Sequence, residues 1–92
     1  MKDKVKLFRQ ITERMANTYE AKNHDYGDSF GKTIAKYGNV AFLTRFSDKF
    51  NRIERLVLSG KAEVAESLLD TVLDAAAYAI MFASILKRRR NA

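Results

Sequence analysis

Ninety-two residues leave room for one hydrophobic core and not two, so the chain reads as a single domain spanning residues 1–92. At 47% hydrophobic and 30% charged it has the composition of an ordinary soluble globular protein. The absence of cysteine excludes disulfides and thiolate metal sites and suits a reducing, cytoplasmic setting, while the net charge of +6 favours anionic partners: nucleotides, nucleic acid or acidic lipid.

There is no proline, and the four glycines fall between Gly27 and Gly38 and at Gly60. That distribution suits long uninterrupted helices. A first helix is expected from about Asp3 to Lys22, with Asp3 as its cap and Leu7, Phe8, Ile11, Met15 and Tyr19 as a core-facing stripe. Lys2, Lys4 and Lys6 precede no apolar run of signal-peptide type.

Residues 23–31, Asn-His-Asp-Tyr-Gly-Asp-Ser-Phe-Gly, break the helical pattern and read as a loop. The rings of His24, Tyr26 and Phe30 either cover a ligand or plug the end of a bundle, and local composition does not choose between these. His24, the only histidine, lacks the neighbours a zinc site needs. Residues 32–38 read as a helical turn ending at Gly38.

Asn39 is placed to cap a second long helix that runs to about Leu58. Val40, Leu43, Phe46, Phe50, Ile53 and Val57 are expected to face the core, and Arg45, Asp48, Lys49 and Arg52 share an adjoining surface. Gly60 can end the helix in a left-handed conformation. A third long helix starts near Ala62 and passes Leu86 into Lys87-Arg88-Arg89-Arg90, cations that complement a helix C-terminus. This short basic run is only a slight pointer to nucleic acid or lipid.

Along the third helix, Leu69, Val72, Leu73, Ala76 and Ile80 recur at helical spacing. The stretch from Leu68 to Leu86 resembles a membrane span, but Asp70 and Asp74 interrupt it. The uncharged part from Ala75 is about 12 residues, against the ~20 a span needs. A buried core helix, outside any membrane, is the expectation.

Glu66, Asp70 and Asp74 stand four apart and share one stripe of that helix. If the helix is buried, these acids need a counter-charge. One candidate is a hard cation, Mg²⁺ or Mn²⁺, with Asp48 as a further ligand and Arg45, Lys49 and Arg52 on phosphate oxygens. The other is a charge network in which Asp70 and Asp74 pair directly with Arg45 and Arg52. Spacing alone leaves both open. No glycine-rich phosphate loop, Ser-His-Asp set or cysteine nucleophile is present, so any hydrolysis would be metal-assisted.

Three segments together carry a resemblance: Lys22-Asn23-His24-Asp25-Tyr26-Gly27-Asp28-Ser29-Phe30, Arg45-x-x-Asp48-Lys49-x-x-Arg52-Ile53, and Glu66 to Asp74 with Tyr78. Over about residues 18–82 the chain resembles the nucleotide-modification-associated domain family of phages and bacteria. That small all-α group is similar to MazG-type nucleotide pyrophosphohydrolases. The resemblance implies an all-α bundle of three long helices plus a short helical turn, completed as a homo-oligomer. It implies Mg²⁺-dependent cleavage of a nucleoside triphosphate to monophosphate and pyrophosphate.

Glu66, Asp70 and Asp74 carry over as the catalytic and metal-holding acids. Lys22, Arg45, Lys49 and Arg52 would meet phosphates, and Asn23, Asp25 and Tyr26 the base or sugar. One departure stands out. MazG-type enzymes place glutamates at Glu-Glu-x-x-Glu on the helix before the last acidic motif, where this chain has only Asp48 and Glu54 among Arg45, Lys49 and Arg52. The alternative is therefore a module that binds or sequesters a nucleotide without hydrolysing it, such as a phage sponge for a host signalling nucleotide.

Overall fold

The structure is a computed structural model that describes residues 2–26, 28–60 and 65–91; the side chains of residues 2, 24–26, 65 and 66 lie outside the description. Four helices follow in order: α1 (Lys2–Tyr26), α2 (Ser29–Tyr37), α3 (Val40–Ser59) and α4 (Ala65–Asn91). No strand occurs among the described residues, so the all-α expectation holds, with four helices where three and a turn were expected.

The extra helix comes from the segment read as a loop. α1 does not stop at Lys22 but continues to Tyr26, and Asp28 starts α2. The Asp28 carboxylate accepts from the Gly31 backbone N–H at 3.0 Å, and its carbonyl accepts from Lys32 N–H. Asp-Ser-x-Gly is thus an N-cap and first turn, because a short acidic side chain satisfies an orphan amide of the new helix. Asp3 lies inside the first turn of α1, where its charge complements the helix dipole.

α2 ends at Gly38, whose φ of 82° allows a sharp exit, and its N–H donates to the Ile34 carbonyl at 2.7 Å. Asn39 precedes α3 but makes no side-chain capping bond; its backbone is already helical. Its Oδ1 instead accepts from Arg89 Nη1 at 2.7 Å. Gly60 takes the left-handed conformation at φ 64°, as expected.

α3 and α4 run antiparallel and supply most of the interhelical contact. Their aromatic end is a run of rings. Phe42 stacks on Phe82 at 4.4 Å and on Phe46 at 5.3 Å, and Phe30 of α2 tilts against Tyr78 at 5.3 Å. Each such pair contributes about 0.5–1.5 kcal/mol beyond its area. Phe30 therefore plugs the bundle, which answers the open question for that ring; His24 and Tyr26 have their side chains outside the description. Ile34, 1% exposed, is the deepest large side chain, with Ala41 and Ala75 beside this layer.

The expected core stripes are only partly used. On α3 the inward positions are Ala41, Phe42, Phe46 and Ile53, whereas Val40, Leu43, Phe50 and Val57 are exposed. On α4, Thr71, Ala75, Tyr78, Phe82 and Ile85 face inward, and Leu69, Val72 and Ile80 face out. On α1, Leu7, Phe8, Ile11 and Tyr19 are exposed, and Met15 is half-buried. Periodicity identified amphipathic helices, but a sequence with several apolar stripes per helix does not say which stripe its own fold uses first.

The helix over Ser67–Asn91 is long and apolar enough to cross a membrane by composition, and only 11% of that window is buried within the chain. It is not the buried core helix that its hydropathy suggested.

Candidate functional site

Beyond the aromatic layer the α3–α4 pairing becomes polar. Lys49 Nζ reaches Asp74 Oδ2 at 3.4 Å, with the side chains 31% and 53% exposed. One turn further along, Arg52 Nε donates to Thr71 Oγ1 at 3.1 Å. Thr71 is 4% exposed, and its hydroxyl donates in turn to the Ser67 carbonyl at 2.7 Å. The hydroxyl thus uses its one proton inward and offers a lone pair to the guanidinium. Arg52 is held at Nε, and no hydrogen bond or ion pair engages its terminal nitrogens among the described residues.

Around this pair of contacts, Arg45, Asp48 and Asp70 are exposed and lack an ion pair among the described residues. The exposure of Asp70 and Asp74 corrects the premise drawn from the sequence. Water can solvate both carboxylates in the single chain, so burial compels neither a metal nor an arginine partner. The direct network expected from Asp70 and Asp74 to Arg45 and Arg52 does not form. Asp74 takes Lys49, and Arg52 takes a threonine.

Glu66 has its side chain outside the described residues. Among those described, no three His, Asp or Glu side chains gather closely enough to hold a metal ion. Asp70 and Asp74, one helical turn apart, nevertheless offer hard oxygen donors of the type Mg²⁺ accepts. Such ions usually take one or two carboxylates and complete their shell with substrate phosphate and water.

Lys22 and Asn23 are exposed near the end of α1, and no hydrogen bond or ion pair joins them to α3 or α4 among the described residues. Asp25 and Tyr26 continue the same helix, with side chains outside the description. Thr71 is the member sequence reasoning missed. The available signal was a lone hydroxyl residue on the stripe of α4 that runs through Ala75, Tyr78 and Phe82, where a buried polar group requires a partner.

No curated protein and no solved structure matches the chain. The family model for nucleotide modification associated domain 1 matches residues 22–86. That span takes in the α1 end, α2, α3 and the polar edge of α4, leaving out most of α1 and the basic tail. With well over half of its length matched, the chain belongs to the nucleotide modification associated domain 1 family.

Proposed function

We propose that the α3–α4 edge binds the phosphates of a nucleoside triphosphate and, with Mg²⁺ or Mn²⁺, supports hydrolysis to monophosphate and pyrophosphate. The observation that carries this reading is Arg52. Its Nε is fixed on buried Thr71 while its terminal nitrogens stay free of protein partners, beside the unpaired carboxylate of Asp70. A guanidinium anchored at one nitrogen has lost part of its rotamer freedom and presents a planar fork suited to phosphate.

In this reading Lys49 exchanges Asp74 for a phosphate oxygen, and Arg45 adds a third cation from the same helix. Asp70 and Asp74, with Glu66 and perhaps-needed support from Asp48 on α3, hold the divalent ion. That ion supplies charge neutralisation and Lewis acidity at the phosphates. Water adds at the α-phosphorus, the α–β anhydride bond breaks, and pyrophosphate leaves. Lys22, Asn23, Asp25 and Tyr26 approach the base and sugar, Tyr26 by stacking.

Incubation with canonical and modified deoxynucleoside triphosphates and Mg²⁺ should release pyrophosphate, and Asp70→Ala should abolish it. Absence of turnover with every nucleotide overturns the hydrolytic reading. The sequestering alternative has its own support: the Lys49–Asp74 pair already neutralises one acid without metal. Calorimetry that shows tight nucleotide binding in chelator, with no turnover, would select it.

A further inference from the structure

One chain leaves too much surface in water. Its accessible area is 7722 Å² for 10.5 kDa, whereas a folded monomer of that mass exposes about 5,400 Å². Its radius of gyration is 15.0 Å, against about 12.3 Å for a compact domain of this length. The surplus, about 2,300 Å², is nearly three times the ~800 Å² each partner contributes to a standard protein interface.

The best-ordered part of that surplus is the outer face of α4. Leu69, Val72, Ala76, Ala79, Ala83 and Leu86 follow one another at steps of three, four, three, four and three, the spacing of a coiled-coil seam. Leu69 is 56% exposed, and Val72 and Leu86 are 42% exposed. Ala79 and Ala83 are also exposed, and Ala76 is half-buried. The seam lies on the far side of α4 from Thr71, Tyr78 and Phe82, which face α2 and α3.

We infer that a second copy of this chain covers the seam, with the two α4 helices antiparallel about a twofold axis between Ala76 and Ala79. Three features select that occupant and direction. The seam is large at both ends and small in the middle, so reversal sets Leu69 against Leu86 of the copy and alanine against alanine at the axis. Small residues there let the helix axes approach closely. Charge is also graded along α4, with Asp70 and Asp74 in its first half and Lys87–Arg90 at its end. Antiparallel pairing sets basic ends beside acidic halves and opposes the helix dipoles, whereas parallel pairing crowds eight cations together. A twofold contact of one patch with itself also closes the assembly. This inference is independent of what the α3–α4 edge binds.

The chain has no native cysteine, so two conservative variants report the geometry. Leu69→Cys and Leu86→Cys, mixed and oxidised, should give a disulfide-linked heterodimer, while neither variant alone should cross-link. Sedimentation of the unmodified chain should give twice the single-chain mass, and Ala79→Lys should weaken self-association at least ~100-fold through like charges at the axis. A monomer across the concentration series, or cross-linking of Leu69→Cys with itself, overturns the proposal. So does Ala79→Lys that remains dimeric. A monomer that co-sediments with anionic vesicles assigns the seam to a lipid surface and equally overturns it.

Discussion

The two ends of the α3–α4 pairing are built from different chemistry. At one end Phe42, Phe46 and Phe82 stack, with Phe30 and Tyr78 closing over Ile34. At the other, Lys49 meets Asp74 and Arg52 meets Thr71, at distances and exposures that let water compete. The aromatic end removes apolar area from water, which scales into kcal/mol. The polar end exchanges water hydrogen bonds for protein ones at little net gain. Stability is therefore concentrated where the family-matched segment carries rings, and the charged end is left adjustable, as a ligand site requires.

The largest effect should come from the aromatic end. Ile34→Ala removes the side chain buried most completely and leaves a cavity among Phe30, Ala41 and their neighbours. It should lower the unfolding free energy by about 3 kcal/mol in a denaturant titration. A loss below ~1 kcal/mol would mean that this layer is not the anchor of the fold.

A smaller effect is expected where α2 begins. Asp28→Ala removes the side-chain acceptor for the Gly31 amide and should cost about 1 kcal/mol. Gly31→Ala is a sharper test. A Cβ at Gly31 would lie 2.1 Å from the Asp28 carboxylate oxygen, so the cap must rotate away. The lost cap is offset by the better helix propensity of alanine, about 1 kcal/mol. Near-neutral Gly31→Ala beside costly Asp28→Ala, both read by thermal unfolding, would identify the cap as the reason this segment is helical.

That segment also shows what the sequence hides. Residues 23–31 hold the residues of a turn, and Asp28 does make the local hydrogen bond such residues favour, but the bond starts a helix. Local chemistry identifies a chain reversal without fixing how many residues it consumes. The long helices were legible because α3 and α4 have unbroken spacing, no proline, and Gly60 at the expected stop. Their inward faces were not. Phe50 and Leu43 look as core-like as Phe46 and Ile53, and only the partner helix decides between them. At the site, cations on α3 and acids on α4 were found from spacing, but their pairing was not. Which lysine or arginine meets which acid depends on the antiparallel register, which no single helix encodes.

At the polar end, Thr71→Val keeps the shape of the side chain and removes its hydroxyl. Arg52 loses its acceptor, and the Ser67 carbonyl loses its donor. The expected stability change is about 1 kcal/mol or less, because Arg52 can turn to water. Nucleotide affinity should fall together with it, since the guanidinium is no longer held. Calorimetry and unfolding on the same variant would show whether Thr71 positions Arg52 or only packs.

The smallest stability effect, and the cleanest separation of the two ends, belongs to Lys49 and Asp74. The pair is 3.4 Å apart and substantially exposed, so a double-mutant cycle with Lys49→Ala and Asp74→Ala should return a coupling of roughly 0.2–1 kcal/mol that shrinks with salt. The single variants should then diverge in nucleotide binding. Lys49→Ala removes a phosphate partner and should weaken binding with or without Mg²⁺. Asp74→Ala frees Lys49 and removes an anion from the phosphate side, so it should strengthen binding in chelator while impairing Mg²⁺-dependent turnover. Equal losses from both variants in chelator would show that the ion pair itself shapes the site. In that case Lys49 does not leave Asp74 when a nucleotide arrives, and phosphate recognition falls to Arg45 and Arg52.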